Sequence, residues 1–181
     1  MKNKFLAAFL LLTPIFVIVL STVFEHFEIA PSGRVNNGEI FEPPFKAVNI
    51  EPYLGEKELD FTDGKWTLGF YNLDSSEDQA NALYLMRQIN IALNRDINKV
   101  QRIIIFSNVG SVDANTLEEY PRTKTYIDIN QSFKSLILEN NSTYFSSPRI
   151  FLIDQYGWVA MSFRLDLNPK LILKDLKRII K

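Results

Sequence analysis

The chain has no cysteine. That absence excludes disulfides, thiolate nucleophiles, zinc–cysteine sites, iron–sulfur ligation and covalent haem attachment. Histidine is almost as scarce: His26 is the single one, so nearly all imidazole-built metal centres are excluded, and a Ser-His-Asp triad would have to use a residue at the end of a hydrophobic run. Methionine offers no metal motif. Met1 is the initiator, Met86 falls on the apolar stripe of a predicted helix and Met161 in a predicted strand. There is no excess of charge of either sign, since the formal net charge is −1, and no long Lys/Arg run. The basic footprint of a nucleic-acid-binding protein is therefore missing. The cations at the C-terminus (Lys170, Lys174, Lys177, Arg178, Lys181) recur at helical spacing and read as one solvated helix face. Nor is there an internal repeat or a low-complexity tract.

What is present is a globular composition, 46% apolar and 23% charged in 181 residues, behind a long hydrophobic start. Phe5 to Phe24 is uncharged. At ~1.5 Å per residue such a helix covers the ~30 Å hydrocarbon core of a bilayer. The run exceeds the 7–15 residues of a signal-peptide core and is followed by Glu25-His26-Phe27-Glu28 instead of a small-residue cleavage site, which favours a retained anchor. Lys2 and Lys4 before it and Glu25 and Glu28 after it orient the N-terminus to the cytoplasm. The expected layout is a cytoplasmic N-terminus at 1–4, a transmembrane anchor at 5–24, an extended stalk at 25–58 rich in Pro and Gly, and a globular domain at 59–181. In a bacterium that domain is periplasmic, held at the inner membrane. His26 has two readings, a membrane-proximal copper ligand or an interfacial polar residue flanking the anchor, and one imidazole makes no site by itself.

Within the domain the period of the apolar residues alternates between strand and helix. Lys65–Asn72 predicts a buried strand. Ser75 with Asp78 three residues on fits a capping box, opening a helix that runs to about Asn94 with Ala82, Leu85, Met86, Ile89 and Leu93 on one stripe. Val100–Ser107 predicts a second strand, Val112–Tyr120 and Gln131–Glu139 two short helices, Arg149–Asp154 a third strand, and Trp158–Leu165 a fourth that forms a hairpin with it. Asn168 and Pro169 start the last helix. This β-α-β-α-β-β-α order is that of an α/β, thioredoxin-like fold. Pro148, directly before the third strand, stands where such folds commonly hold a cis proline; position alone leaves cis or trans open.

Three stretches carry a family resemblance. Ala82–Arg102 (ALYLMRQINIALNRDINKVQR), Asn37-Gly38-Glu39-Ile40 with Pro43-Pro44, and Phe151–Lys181 resemble a group of membrane-anchored, thioredoxin-fold proteins related to the Sco copper chaperones. Members of that group occur alongside cytochrome c oxidase assembly factors. The resemblance implies cytochrome c oxidase subunits or assembly factors as partners. It also locates what is missing. The C-x-x-x-C of Sco-type proteins would fall on Ser75 and Gln79, and their histidine near Ser146, inside Ser146-Ser147-Pro148. A hydroxyl and an amide do not replace the soft donors that Cu(I) requires.

The candidate site is accordingly a binding edge built from Asp74, Ser75, Glu77, Asp78, Gln79, Ser146, Ser147 and Pro148, with no catalytic residue, metal or cofactor. Asp74, Glu77 and Asp78 have two readings: a hard-cation or acid/base cluster, or helix capping beside a solvated turn. Trp158, after a turn, is a candidate docking aromatic. The expected function is a non-catalytic, membrane-tethered binding module that assists cytochrome c oxidase assembly. The alternative is a Sco-type copper chaperone or thiol oxidoreductase whose ligands come from a partner.

Overall fold

The computed structural model describes residues 2–26, 36–73, 76–111 and 117–180. The chain divides into two compact units, residues 1–35 and 36–181.

The first unit is helix α1, Lys2–His26. Two of its hydroxyls turn inward to the backbone: Thr13 Oγ1 donates to the Phe9 carbonyl at 2.7 Å and Thr22 Oγ1 to that of Ile18 at 2.9 Å. These bonds satisfy both hydroxyls within the helix itself. Pro14 lies inside the helix, and the side chains from Phe9 to Val23 are exposed. Among the described residues no helix is long and apolar enough to cross a membrane; the described side chains of α1 are Lys4 and those of residues 9–23.

The second unit is built on one mixed sheet. Near-continuous apolar runs make its centre, because a strand covered on both faces has no polar side to show. These are β3 (Trp66–Asn72), β4 (Val100–Phe106) and β6 (Arg149–Ile153). The others are β1 (Glu39–Lys46), β2 (Glu51–Pro52), β5 (Thr123–Ile127) and β7 (Trp158–Arg164). The order across the sheet is β1-β7-β6-β3-β4-β5-β2. β3, β4 and β5 run parallel, and the remaining pairings are antiparallel. Helix α2 (Ser76–Ala92) makes the crossover from β3 to β4. With α4 (Pro169–Ile179) it covers one face, where Met86, Ile89, Ile172 and Leu176 pack on Leu68, Ile104 and Leu152. Helix α3 (Ser132–Asn140) covers the other, with Phe133 and Ile137 against Tyr71, Ile103 and Phe151.

The predicted chain reversals are found. Asp154 Oδ1 accepts from the amides of Tyr156 and Trp158, both at 2.8 Å, and Gly157 takes the positive φ of 84° that closes the β6–β7 hairpin. Asn168 caps α4 by accepting from the Lys170 amide, with Pro169 at the first position. Met86 and Met161 are core residues.

Two expectations are corrected. The stalk does not extend to residue 58. Residues 39–46 form an edge strand on β7 and 51–52 an edge strand on β5, so the domain begins at Asn36. The prolines that suggested a stalk are tolerated because an edge strand has amides that need no partner, and the register shifts between Ile40 and Phe45. Phe41 and Phe45 nevertheless point inward and are buried. Second, a strand was missing from the predicted order: β5 stands between the two short helices. Of the first of those helices, residues 112–116 lie outside the described residues. At Pro148 the sequence leaves cis or trans open; among the described residues the cis bond is Glu42–Pro43, and Ser147–Pro148 is trans.

Candidate functional site

Antiparallel pairing of β3 with β6 sets Phe70 beside Ile150. The end of β3 and the start of α2 therefore meet the turn that leads into β6. A cavity of about 230 Å³ opens there. Asn72, Leu73 and Asp78 line one side and residues 144–149 the other, with Phe70 and Tyr71 between them.

Four of the sequence-predicted residues come together in this lining: Asp78, Ser146, Ser147 and Pro148. Glu77 is exposed on the first turn of α2 and does not line the cavity. Gln79 is buried and turned away from it into a side-chain pair, its Oε1 accepting from Asn72 Nδ2 at 2.9 Å. Asp74 and Ser75 lie outside the described residues, as does the side chain of His26. Of the acidic cluster, Asp78 reaches the cavity and Glu77 does not, and no group of three or more metal-ligating side chains occurs among the described residues.

The lining also holds residues that sequence reasoning passed over. Arg149 opens an otherwise apolar strand, and that isolated charge was the available signal. Its side chain is only 7% exposed. It forms an ion pair with Glu39 of β1, donates from Nε to Ser147 Oγ at 3.3 Å, and lies 6.0 Å from the Tyr144 ring centroid. Tyr144 is fully enclosed, and its hydroxyl donates to the Arg149 carbonyl at 3.3 Å. Burial pushes its ionisation far above the ordinary phenol range, against the smaller opposing pull of Arg149, so it remains a neutral donor at physiological pH. Phe145 makes edge contacts with Tyr144 at 4.9 Å and Tyr71 at 5.5 Å. The turn 144–146 is thus fastened to the sheet by aromatic packing, and Ser146, Ser147 and Pro148 are presented from a fixed frame.

Chemically, the described residues of this edge offer hydroxyls, amides, the Asp78 carboxylate and a guanidinium already engaged by Glu39. Ser146 Oγ donates to the Thr143 carbonyl at 2.7 Å, and Ser147 Oγ accepts from Arg149. Trp158 is 39% exposed, and Lys46 Nζ sits 4.5 Å from its ring centroid, so the proposed docking aromatic is partly covered by a cation.

Solved structures of Sco proteins share this architecture. The chain superposes on copper-bound ScoI of Bradyrhizobium japonicum with a TM-score of 0.50 at 20% identity, over 75% of this chain and 96% of that one. Copper-bound yeast Sco1 gives 0.56 at 14% identity, over 76% and 90%. BsSco, described as a member of the Sco family of cytochrome c oxidase assembly proteins, gives 0.52 at 13% identity, over 80% and 95%. At these identities the likeness is one of fold. No curated protein matches the chain in sequence. Copper does not suit the residues at this edge. Cu(I) takes thiolate and thioether donors, whereas here the thiols are absent, both internal methionines are in the core, and Gln79 is spent on Asn72. The family model for the transmembrane-like, thioredoxin-like, C-terminal domain matches residues 66–181, which takes in every strand of the central sheet from β3 onward together with the whole candidate edge, and the chain belongs to that family.

Proposed function

We propose that the protein is a non-catalytic binding module, tethered to the bacterial inner membrane by residues 5–24 with its domain on the periplasmic side, and that it assists cytochrome c oxidase assembly. The observation that carries the reading is the cavity at the end of β3. It has the rigid aromatic frame and polar rim of a recognition site, while the positions where a Sco-type protein would keep sulfur hold none. The uncharged run after Lys2 and Lys4, and the transmembrane-like description of the family, support the tether. Membership in the same fold group as BsSco supports the assembly role. Holding the domain at the membrane raises its effective concentration near membrane-embedded partners, so individually weak contacts suffice.

Affinity purification of the full chain from detergent-solubilised membranes tests the reading. Oxidase subunits or assembly factors should be enriched, and Ser147→Arg, which fills the cavity mouth, should deplete them. Deletion that leaves oxidase activity unchanged, with no such enrichment, would refute it. A Cu(I) titration separates the chaperone alternative: a tight one-to-one site on the isolated full chain would reverse the conclusion about copper.

A further inference from the structure

A second cavity, of about 480 Å³, lies away from the candidate edge, between α2, β4 and the segment leading into β5. Its most unusual component is Arg102. Strand alternation points this side chain to the same face as Val100, Ile104 and Phe106, into the layer under α2, and it is only 5% exposed. Its Nη1 is buried without a hydrogen-bond partner. No ion pair among the described residues involves it. Its register partner on β5, Thr123, faces the same side of the sheet, and Thr123 Oγ1 is also buried and unpartnered.

The remaining cations of the cavity do not relieve this. Arg87 on α2 and Arg122 before β5 are exposed and line the same space. Arg87 rests 5.9 Å from the Tyr120 ring centroid. Burial lowers the proton affinity of the Arg102 guanidinium, and the like charges of Arg87 and Arg122 lower it further, with Tyr120 acting weakly the other way. Glu118 and Glu119 are exposed lining residues, and neither forms an ion pair with the three arginines. A guanidinium in a low-dielectric site, beside two like charges and with no carboxylate paired to it among the described residues, is an unfavourable arrangement by itself. An oxyanion arriving there would complete it, since guanidinium groups match carboxylate and phosphate oxygens in planar, paired geometry.

We propose that this cavity binds the oxyanion head, phosphate or carboxylate, of a small organic ligand, with Arg102 at its base, Arg87 and Arg122 at its mouth, and Ile91, Ile97, Tyr120 and Pro121 against the ligand's apolar part. A soluble small molecule and an anionic lipid headgroup carry the same head. The two glutamates at the mouth favour a head of low charge over a polyanion.

The full chain in lipid nanodiscs tests this by calorimetry and thermal melting. In phosphatidylcholine discs, inorganic phosphate or acetate should give one-site saturable heat and raise Tm by mass action. Arg87→Ala and Arg122→Ala, both exposed positions, should weaken that binding at least about tenfold. Arg102→Leu should raise Tm without phosphate, because an uncompensated buried charge is gone, and should abolish the further rise with phosphate. Discs containing phosphatidylglycerol distinguish the sources. Loss of the phosphate heat in them assigns the site to a lipid headgroup, and its persistence assigns it to a soluble ligand. Absence of saturable heat with phosphate and acetate, together with equal Tm in the two disc types, overturns the proposal. So does binding that survives Arg87→Ala and Arg122→Ala unchanged.

Discussion

Asn72 Nδ2 donates to Gln79 Oε1 at 2.9 Å, tying the end of β3 to the first turn of α2. The pair is 1% and 2% exposed, and each amide keeps one buried polar atom without a partner, Asn72 Oδ1 and Gln79 Nε2. A single shared bond therefore holds two incompletely satisfied groups, which makes the arrangement asymmetric to mutation.

Removing one partner should hurt and removing both should not. Gln79→Ala leaves Asn72 wholly unpaired in the interior and should lower stability by about 2 kcal/mol, within the ~1–3 kcal/mol range for an orphaned buried polar group. The double variant Asn72→Leu/Gln79→Leu should fall within about 1 kcal/mol of the parent, or above it. Urea midpoints with a double-mutant cycle read the coupling directly. Additive losses would show that the amides do not act as a pair.

The beginning of the domain rests on Asp175, a fully buried carboxylate of α4. Its Oδ2 accepts from the Asn37 amide at 2.6 Å and the Gly38 amide at 3.1 Å, and its Oδ1 from Asn37 Nδ2 at 2.8 Å. Charge-assisted bonds of this kind are about twice as strong as neutral ones. Asp175→Ala should cost about 3 kcal/mol. A chain trimmed to 36–181 should unfold cooperatively by circular dichroism, and one trimmed to 59–181 should lose that cooperativity along with both edge strands. Equal midpoints for the two would restore the stalk boundary at 58.

What could be read from the residues, and what could not, follows from where each signal is stored. The central strands and α2 were legible because burial on both faces or on one stripe writes itself into a short window, as in Arg102–Phe106 or Ala82–Leu93. β5 (TKTYI) was not, since three of its five residues are polar and its place is set by pairing with β4 across the crossover. β1 was hidden by Pro43 and Pro44, which argue against a strand unless one knows it lies on an edge. In the site, Asp78 and Ser146–Pro148 were found from chain position relative to the expected fold. Arg149 and Tyr144 were not, because their roles come from Glu39, 110 residues away, and from a turn packed on Tyr71. The inward turn of Gln79 follows from a contact with the preceding strand, which no local pattern encodes.

Gly69 of β3 faces Phe151 of β6, its register partner. A methyl group at Gly69 would lie 2.2 Å from the Phe151 ring, and that ring is held by Phe133 at a centroid distance of 5.5 Å. Gly69→Ala should therefore destabilise the domain by about 3 kcal/mol through overpacking. Phe151→Leu alone should cost about 1–2 kcal/mol by cavity formation. The two together should cost less than their sum, because the smaller side chain vacates the space the methyl needs. Chemical denaturation of the four chains decides it, and strict additivity would count against the close approach as the cause.

Alkaline conditions should single out Tyr126. Its hydroxyl donates to the Lys57 carbonyl at 3.1 Å, and its ionisation is raised from 10.0 to about 12, first by burial and then by the negative charge of Glu56. For an acid raised in this way the folded state holds its proton where the unfolded chain has released it. Between those two values the folded state binds more protons, so stability falls as pH rises. The contribution is fully present below about pH 10 and is lost progressively toward about pH 12. Tyr144 is shifted in the same direction by its burial, so the parent chain should lose stability through more than one phenol. Tyr126→Phe removes one of them. It should be less stable than the parent at neutral pH by the lost hydrogen bond, about 1 kcal/mol, and the gap should narrow as pH climbs past 10. Urea midpoints measured for both chains across that window test the sign. Parallel curves would mean that Tyr126 ionises no differently in the folded protein than in the unfolded chain.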